Sequence, residues 1–372
     1  MEKDIFLTRP TLPPLEDLIP HLQQIWDSRF LTNGAQYHQE FEHALCKFLG
    51  VKYCSLFCNG TAALLTAFQA LNIKGEVITT PFTFAATSHA ILWNRSTPVF
   101  CDIDPETFNI DANKIEPLIT SKTTAIVPVH IYGNPCNLNK LQEIADAYNL
   151  RLIYDAAQAF GVKKNGTSIL NYGDLSVLSF HATKVFNTFE GGAIICSNSK
   201  TKKHIDYLKN FGFANEETVI LPGLNGKMNE FSAALGLLQL NHIDDAIQAR
   251  KNIYQNYATS LKDIAGLGYL SEMENVEYNY SYFPITVDEN IFPQSRDELY
   301  TTLKQHKVHA RKYFSPLISQ FRSYRDYPSS SPSNLPIAEH VAKQVLCLPI
   351  YPELEKSEQD MIIDIVLNSG KN

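Results

Sequence analysis

The chain has 372 residues, enough for one large domain and a smaller one with a sizeable hydrophobic core. Its 44% hydrophobic and 19% charged residues are typical of a globular protein, and a net charge of −7 without a basic block argues against nucleic acid as a partner. No apolar run reaches the roughly 20 residues that would span a bilayer, and the charged N-terminus lacks the apolar stretch of a signal peptide. We therefore expect a cytoplasmic protein.

Seven cysteines are scattered along the chain, and the spacing of Cys54 and Cys58 does not match the usual spacing of zinc ligands. Scattered cysteines without such spacing are typical of buried free thiols in a reducing compartment. We therefore expect free thiols and no metal site.

The proline-rich first segment predicts an arm that leads into a helix near residues 15–26, and a second helix over 38–48 ends at Gly50. From residue 53 onwards, strand and helix patterns alternate. The predicted strands are 53–57, 77–80, 99–102, 125–131 and 152–154, with helices at 62–71, 85–93 and 138–148. This alternation indicates an α/β domain with a buried, mostly parallel sheet, whose ligands lie at the carboxyl ends of the strands.

Residues 229–261 have helical spacing, and a break in this region separates the large domain from a smaller C-terminal one. The predicted limits are 1–240 for the large domain with its N-terminal arm and 241–372 for the small domain. The small domain contains the segments 278–287 and 342–349, a helix near 295–305 and a last helix. Serine and proline predict an exposed loop at 324–336.

Lys184 lies in a turn between two apolar segments, 175–178 and 191–196, that predict core strands. Gly191 and Gly192 suit unusual backbone angles at the start of the second strand. A lysine close to apolar walls has a lowered pKa, and its neutral amine can form a Schiff base with an aldehyde cofactor. A solvated turn lysine is the simpler interpretation, and the position of Lys184 alone does not decide between them.

Two further motifs follow predicted strands. Gly60 and Thr61 open a helix, whose free N–H groups and dipole can bind an anion, although a plain capped helix has the same pattern. Asp155 ends the strand 152–154, where a carboxylate can hold a proton on a heteroaromatic nitrogen or can cap a turn. The alanines after Asp155 favour the first interpretation, because small residues let a flat ring lie close.

Several spaced motifs surround Lys184, namely Gly173-Asp174, Ser179-Phe180-His181 and Glu190-Gly191-Gly192. Together they resemble the lysine signature of the DegT/DnrJ/EryC1/StrS family of sugar aminotransferases, and the resemblance extends from about residue 31 to residue 349. It implies an α/β, aspartate aminotransferase-like fold (PLP fold type I). In this fold, a large domain with a mostly parallel seven-stranded sheet precedes a smaller C-terminal α+β domain. The resemblance also implies pyridoxal 5′-phosphate (PLP) as the cofactor.

The resemblance assigns roles around this cofactor. Lys184 would be the catalytic residue that holds PLP, and Asp155 the carboxylate against the pyridine nitrogen. Gly60, Thr61 and Ser179 would bind the phosphate. Gln158 would hydrogen-bond the ring oxygen, and Phe84 would stack on the ring, although Phe82 is close enough in sequence that the choice between the two stays open.

Other residues would serve a second subunit or the substrate. Asn225 resembles the family asparagine that reaches the phosphate in the neighbouring subunit, and Lys227 lies beside it, which implies a homodimer with shared active sites. Arg311 and Tyr313 could bind a nucleotide pyrophosphate and base. His181 could hydrogen-bond the substrate, act as a base or merely pack.

The resemblance implies a ping-pong transamination with L-glutamate as amino donor and a dTDP-linked keto-6-deoxyhexose as acceptor. Segments 31–34, 131–136 and 180–190 are most similar to enzymes that aminate dTDP-4-keto-6-deoxy-D-glucose at C4, giving dTDP-4-amino-4,6-dideoxy-D-glucose for O-antigen synthesis. Amination at C3 of a 3-keto-6-deoxyhexose and a non-catalytic sensor or partner-binding role are alternatives. A dehydratase of the same fold would have histidine in place of Lys184.

Overall fold

A computed structural model describes residues 4–370, so the outer ends of the two predicted domains, at residues 1–3 and 371–372, lie outside it. The strands are β1 Ile5–Phe6, β2 Tyr53–Phe57, β3 Glu76–Thr79, β4 Thr97–Phe100, β5 Thr123–Val127, β6 Arg151–Asp155, β7 Lys163–Lys164, β8 Thr167–Ser168, β9 Leu175–Ser179, β10 Gly192–Cys196, β11 Leu267–Tyr269, β12 Val276–Glu277, β13 Phe283–Val287, β14 Val308–His309 and β15 Val345–Leu348. The α-helices are α1 Leu15–Ser28, α2 Gln36–Leu49, α3 Gly60–Ala70, α4 Ala85–Trp93, α5 Leu138–Tyr148, α6 Ser199–Leu208, α7 Glu230–Gln239, α8 Ile243–Leu261, α9 Arg296–Gln305, α10 Pro336–Gln344 and α11 Lys356–Ser369.

The central element is a seven-stranded sheet in the order β2-β10-β9-β6-β5-β3-β4. Strand β10 is antiparallel to both of its neighbours, and the other pairs are parallel. The predicted fold, with a mostly parallel seven-stranded sheet, is therefore confirmed. Because β2, β6 and β9 run in the same direction, their carboxyl ends meet at one edge of the sheet, where ligands bind in α/β proteins.

Helices cover both faces of this sheet. Successive side chains of a strand point to opposite faces, so Leu178 joins the core under α2, α5 and α7, while Val177 joins the core under α3 and α4. The predicted elements of this part of the chain are all present, with ends shifted by at most four residues. Helix α6 was not predicted, because it is polar apart from Ile205 and Leu208, which alone are buried.

The predicted break after residue 229 separates α7 from α8. The first turn of α8 packs on the core of the large sheet through Ile243 and Ala246, while Ile253 and Tyr257 belong to the core of the C-terminal part. That part contains the antiparallel sheet β11-β13-β15, packed with α8, α9 and α11. The domain limit at residue 240 stays a prediction. The arm strand β1 pairs with β14 from the C-terminal part.

Asp102 links the large sheet to the C-terminal part. Its buried carboxylate follows β4 and accepts the N–H groups of Ile337 (3.2 Å) and Ala338 (2.8 Å), so that it caps helix α10. Lys114 Nζ lies 2.9 Å from the same carboxylate. The two parts are thus joined by a charged, hydrogen-bonded contact as well as by apolar packing.

The expected exposed loop at 324–336 is irregular, as predicted, but it is not exposed throughout. Tyr324 and Leu335 are fully buried, and the Ser330 hydroxyl donates to the backbone oxygen of Tyr324 at 2.7 Å. The serines and most of the prolines of this segment lie between these two buried apolar residues. The prediction from composition alone therefore overestimated how much of the segment is exposed.

All seven cysteines are free, and five of them are buried, as expected. Among the helices of residues 4–370, none combines the length and apolar composition that a membrane span requires.

Candidate active site

A cavity of about 600 Å³ lies at the carboxyl ends of β2, β6 and β9. Its walls bring together most of the residues that the sequence predicted, namely Gly60, Thr61, Phe84, Asp155, Gln158, Ser179, His181, Lys184 and Tyr313. The C-terminal part closes one side with Tyr282, Tyr313 and Phe314. Asn225, Lys227 and Arg311 are not part of this lining.

Lys184 lies in the turn between β9 and β10, where its N–H donates to the backbone oxygen of His181 at 2.8 Å. Removal from water lowers the pKa of Lys184, and the nearby Asp155 carboxylate opposes this effect. A larger fraction of neutral amine is what a nucleophile and proton acceptor requires. Lys184 is half-buried and lines the cavity, so its position favours a lysine that faces a ligand over a solvated turn lysine.

Asp155 is buried at the end of β6 and is held by two donors. The Thr87 hydroxyl donates to Oδ2 at 2.7 Å, and the Ala157 N–H donates to Oδ1 at 3.1 Å. Burial raises the pKa of Asp155, whereas these hydrogen bonds and Lys184 act in the opposite direction. The carboxylate is thus fixed in orientation and faces the same cavity as the Lys184 amine.

The N-terminus of α3, at Gly60, packs directly against Ser179 at the end of β9. Asn59 Oδ1 accepts the N–H of Ala62 at 2.8 Å, while no hydrogen bond within the described residues uses the N–H of Gly60 or Thr61. A Cβ on Gly60 would lie 2.9 Å from Ser179 Cβ, so glycine is needed to bring the Ser179 hydroxyl beside the helix. Two free N–H groups and a hydroxyl form a cradle for an anion.

The prediction that Gly191 and Gly192 adopt unusual backbone angles is wrong. Neither residue has a backbone conformation that favours glycine; instead, both lack space for a side chain. A Cβ on Gly192 would lie 2.7 Å from the backbone nitrogen of Gly60, and a Cβ on Gly191 would lie 2.2 Å from Thr188 Oγ1. Gly192 therefore lets β10 pass directly behind the anion cradle.

The structure separates the roles of the two phenylalanines between which the sequence did not decide. Phe84 is 61% exposed and lines the cavity, whereas Phe82 is fully buried. Phe82 packs edge-on against Phe108, Tyr132 and Phe314. Phe84 is thus the phenylalanine available to a ligand, and its stacking role stays a prediction.

Gln158 is buried beside Asp155, and its Oε1 accepts the N–H of Tyr132 at 2.6 Å. With Oε1 engaged in this way, the two N–H bonds of the amide are the groups that can serve a ligand. His181 lies at the rim, where its Nδ1 is 2.8 Å from Thr183 Oγ1 and its Nε2 is 3.5 Å from Glu190 Oε1.

Three predicted site residues lie outside the cavity. Asn225 is exposed and its backbone forms an isolated antiparallel bridge with Asn210, and Lys227 Nζ donates to Asn210 Oδ1 at 2.6 Å. Arg311 is also exposed, and its backbone pairs with Cys347. The predicted action of Asn225 and Lys227 on a second subunit is consistent with their absence from the cavity of their own chain, but Arg311 has no comparable explanation.

Sequence reasoning missed several residues that build the site. Thr87 was detectable, because it lies one helical turn after Phe84, on the first turn of α4. Tyr282 and Asn279 come from the C-terminal part, more than 90 residues after Lys184. No local sequence pattern connects them with the cavity.

Comparison with known proteins identifies the family. The sequence matches the DegT/DnrJ/EryC1/StrS aminotransferase family over residues 15–367. The chain belongs to this family. It is 50% identical over 366 residues to a dTDP-4-amino-4,6-dideoxy-D-glucose transaminase of Shigella dysenteriae, with 98% of this chain and 99% of that protein covered. An Escherichia coli protein of the same name is 52% identical over 356 residues, with 95% and 96% covered.

A solved structure agrees with this result. The crystal structure of DesI in the presence of its TDP-sugar product superimposes with a TM-score of 0.95 at 34% identity, covering 100% of this chain and 94% of that chain. The predicted family, the fold and the aminotransferase activity with PLP as the family cofactor are therefore confirmed.

The buried carboxylate gives a prediction for the pH dependence of stability. Burial raises the pKa of Asp155 in the folded apoprotein above its value in the unfolded chain, so wild type loses stability as the pH rises from the unfolded to the folded pKa. An asparagine does not ionise and therefore has no such loss. We predict that the free energy of unfolding of Asp155→Asn rises relative to that of wild type between pH 4 and pH 8. Urea unfolding at both pH values measures this difference. Exposed Asp146→Asn is the control, and a shift in favour of wild type would contradict the prediction.

Proposed function

We propose that this protein transfers an amino group from L-glutamate to C4 of dTDP-4-keto-6-deoxy-D-glucose, giving dTDP-4-amino-4,6-dideoxy-D-glucose. One observation carries the proposal: an amine with a lowered pKa, a buried carboxylate and an anion cradle share one cavity. The full-length similarity to transaminases of that name supports the choice of sugar. A cytoplasmic location and a role in O-antigen synthesis are part of the same proposal.

The residues of the cavity fit PLP. The N–H groups of Gly60 and Thr61 and the hydroxyl of Ser179 would bind the phosphate, since a Cβ at residue 60 would fill this space. Asp155 would face the pyridine nitrogen and stabilise a proton on it. The Gln158 amide would donate to the ring oxygen, and Phe84 would cover a ring face.

Each residue would then contribute a defined step. When bound, PLP supplies an electron sink that stabilises negative charge on the carbon next to the transferred nitrogen. The Lys184 amine would take a proton from the donor's Cα and return it at C4′ of the cofactor, which its lowered pKa favours. Asp155 would keep the ring nitrogen protonated, and Thr87 would hold Asp155 in place through its hydroxyl.

The substrate would lie between the rim and the C-terminal part. Tyr282 and Tyr313 offer aromatic surface for a base, and His181 offers a ring nitrogen to a sugar hydroxyl. Arg311 is exposed outside the cavity lining, so it would contact the pyrophosphate where the nucleotide extends beyond the cavity.

We further propose a homodimer with shared active sites. Asn225 and Lys227 do not line the cavity of their own chain, although the family resemblance assigns Asn225 to a cofactor phosphate and Lys227 to the substrate of a shared site. The exposed aromatic side chains Phe189 and Phe211 would be covered by the second subunit. Asn225 of one subunit would then complete the phosphate site of the other.

The position of amination tests the proposed reaction. We expect the protein with PLP and L-glutamate to convert the 4-keto dTDP-6-deoxyhexose to a product whose new C–N bond is at C4, as located by NMR. Lys184→Ala should give no product, because it lacks the amine that moves the proton. Amination of the 3-keto isomer at C3 instead would contradict the proposed substrate.

The same experiment tests the non-catalytic alternative. A visible absorption band after PLP addition, removed by borohydride and absent from Lys184→Ala, would exclude a protein that only kept the fold. A colourless protein that yields no product from either sugar would support that alternative.

Hybrid dimers test the shared site. We predict that Lys184→Ala and Asn225→Ala are each inactive or nearly so, while a doubly tagged hybrid of the two recovers about half of the wild-type activity, because one of its two sites is intact. Hybrids of Lys184→Ala with Asp155→Asn are the control, since both changes affect the same chain's cavity and each site of the hybrid stays damaged. Equal activity of the two hybrids would contradict the shared site.

A further inference from the structure

The segment before β13 contacts the loop that follows Asp155. Asn279 is only 1% exposed, and its Nδ2 donates to the backbone oxygens of Gln158 and Phe160, each at 3.0 Å. The Ser281 hydroxyl lies 2.7 Å from the same oxygen of Gln158. Two side chains of the C-terminal part therefore hold the backbone of a loop that lines the cavity.

The orientation of the Asn279 amide follows from its neighbours. On one side it faces two carbonyl oxygens, which can only accept, so the NH₂ group must lie there. On the other side the Ser281 N–H lies 3.1 Å from Oδ1 and can only donate. Both ends of the buried amide are thus paired, which makes this contact stabilising and specific in geometry.

A third chain segment packs against the same atoms. Gly133 has a φ of +87°, and a Cβ there would lie 2.8 Å from Asn279 Oδ1 and 3.0 Å from the backbone oxygen of Gln158. The preceding residue, Tyr132, has a φ of +58° and donates its N–H to Gln158 Oε1. Gln158 is therefore held at both ends, with its backbone oxygen bound by Asn279 and its side-chain oxygen bound by Tyr132.

We propose that Asn279 is a positioning residue of the active site, which fixes the loop of Gln158 so that the Gln158 amide N–H groups face the cofactor. The inference rests on the proposed function, because the ring oxygen of PLP would be the acceptor. Asn279 is not among the residues that line the 600 Å³ cavity, although it lines a smaller pocket together with Gln158 and Lys184; its proposed action is through Gln158. Tyr282, three residues further along, does line the cavity, so the same segment supplies both a wall and the support of the opposite loop.

A double-mutant cycle on PLP affinity tests this role without relying on catalysis. We expect Asn279→Ala to weaken PLP binding about tenfold, the loss of one well-placed hydrogen-bonding group. Gln158→Ala should weaken it to a similar extent. The double variant should bind PLP no more weakly than Gln158→Ala alone, because Asn279 acts only through Gln158. Independent, multiplicative losses would overturn the proposal, as would wild-type affinity in a folded Asn279→Ala protein.

Two further variants separate positioning from a general loss of packing. Asn279→Asp keeps the side-chain volume but places an oxygen against two carbonyl oxygens, so it should weaken PLP binding at least as much as Asn279→Ala. Gln359→Ala is the matched control, because Gln359 is also buried and donates to a backbone oxygen, that of Leu354, but belongs to α11 and not to the cavity lining. It should lower stability and leave the PLP dissociation constant unchanged; equal weakening by Gln359→Ala would overturn the proposal.

If the Asn279 variants do not fold, Ser281→Ala tests the proposal instead. It removes the hydroxyl beside the Gln158 oxygen and leaves Asn279 in place, so a weakening of about threefold is expected, and none would count against the proposal. Failure of the proposed sugar substrate leaves PLP binding and this test unaffected, whereas failure of PLP-dependent catalysis has its own signature, because wild-type protein would then bind no PLP. Wild-type binding with unaffected variants would overturn only the role of Asn279.

Discussion

The rest of the site depends on the buried carboxylate of Asp155 and on its electrostatic interaction with the Lys184 amine. A carboxylate away from water is costly unless donors surround it. The fold supplies these donors from two directions, with the Thr87 hydroxyl from α4 and the Ala157 N–H from the loop after β6. The position of α4, the end of β6 and the turn of Lys184 are therefore set together, and a change in one of them alters the charge balance of the cavity.

The parallel sheet provides the second constraint. Strands β2, β6 and β9 end at the same edge and bring the anion cradle, the carboxylate and the lysine turn to within one cavity. Side chains would prevent this approach at Gly60 and Gly192, where a Cβ would lie within 3 Å of neighbouring atoms. The C-terminal part then closes the cavity with Tyr282 and Tyr313 and supports the loop of Gln158 from outside, so both parts of the chain contribute to one site.

How much the sequence could predict depends on where each residue lies relative to its own strand. Gly60, Asp155 and Lys184 lie within a few residues after the ends of apolar segments, so their position at the sheet edge follows from local pattern and the rules of α/β topology. The contacts of Asn279 span 121 residues, and only the folded chain shows them. Gly192 illustrates a different failure: its presence was noticed, but the steric reason is the close approach of Asn59 and Gly60, which follow the paired strand β2.

The pKa of Lys184 in the apoprotein tests the central claim most directly. Lysine carrying a ¹³C label next to Nζ can be titrated by NMR, with Lys184→Ala identifying the signal of this residue. The account predicts a midpoint clearly below the ordinary lysine value of about 10.4, because removal from water outweighs the attraction of Asp155. A midpoint at or above the ordinary value would show that the amine is solvated or dominated by its carboxylate partner, and would contradict the account.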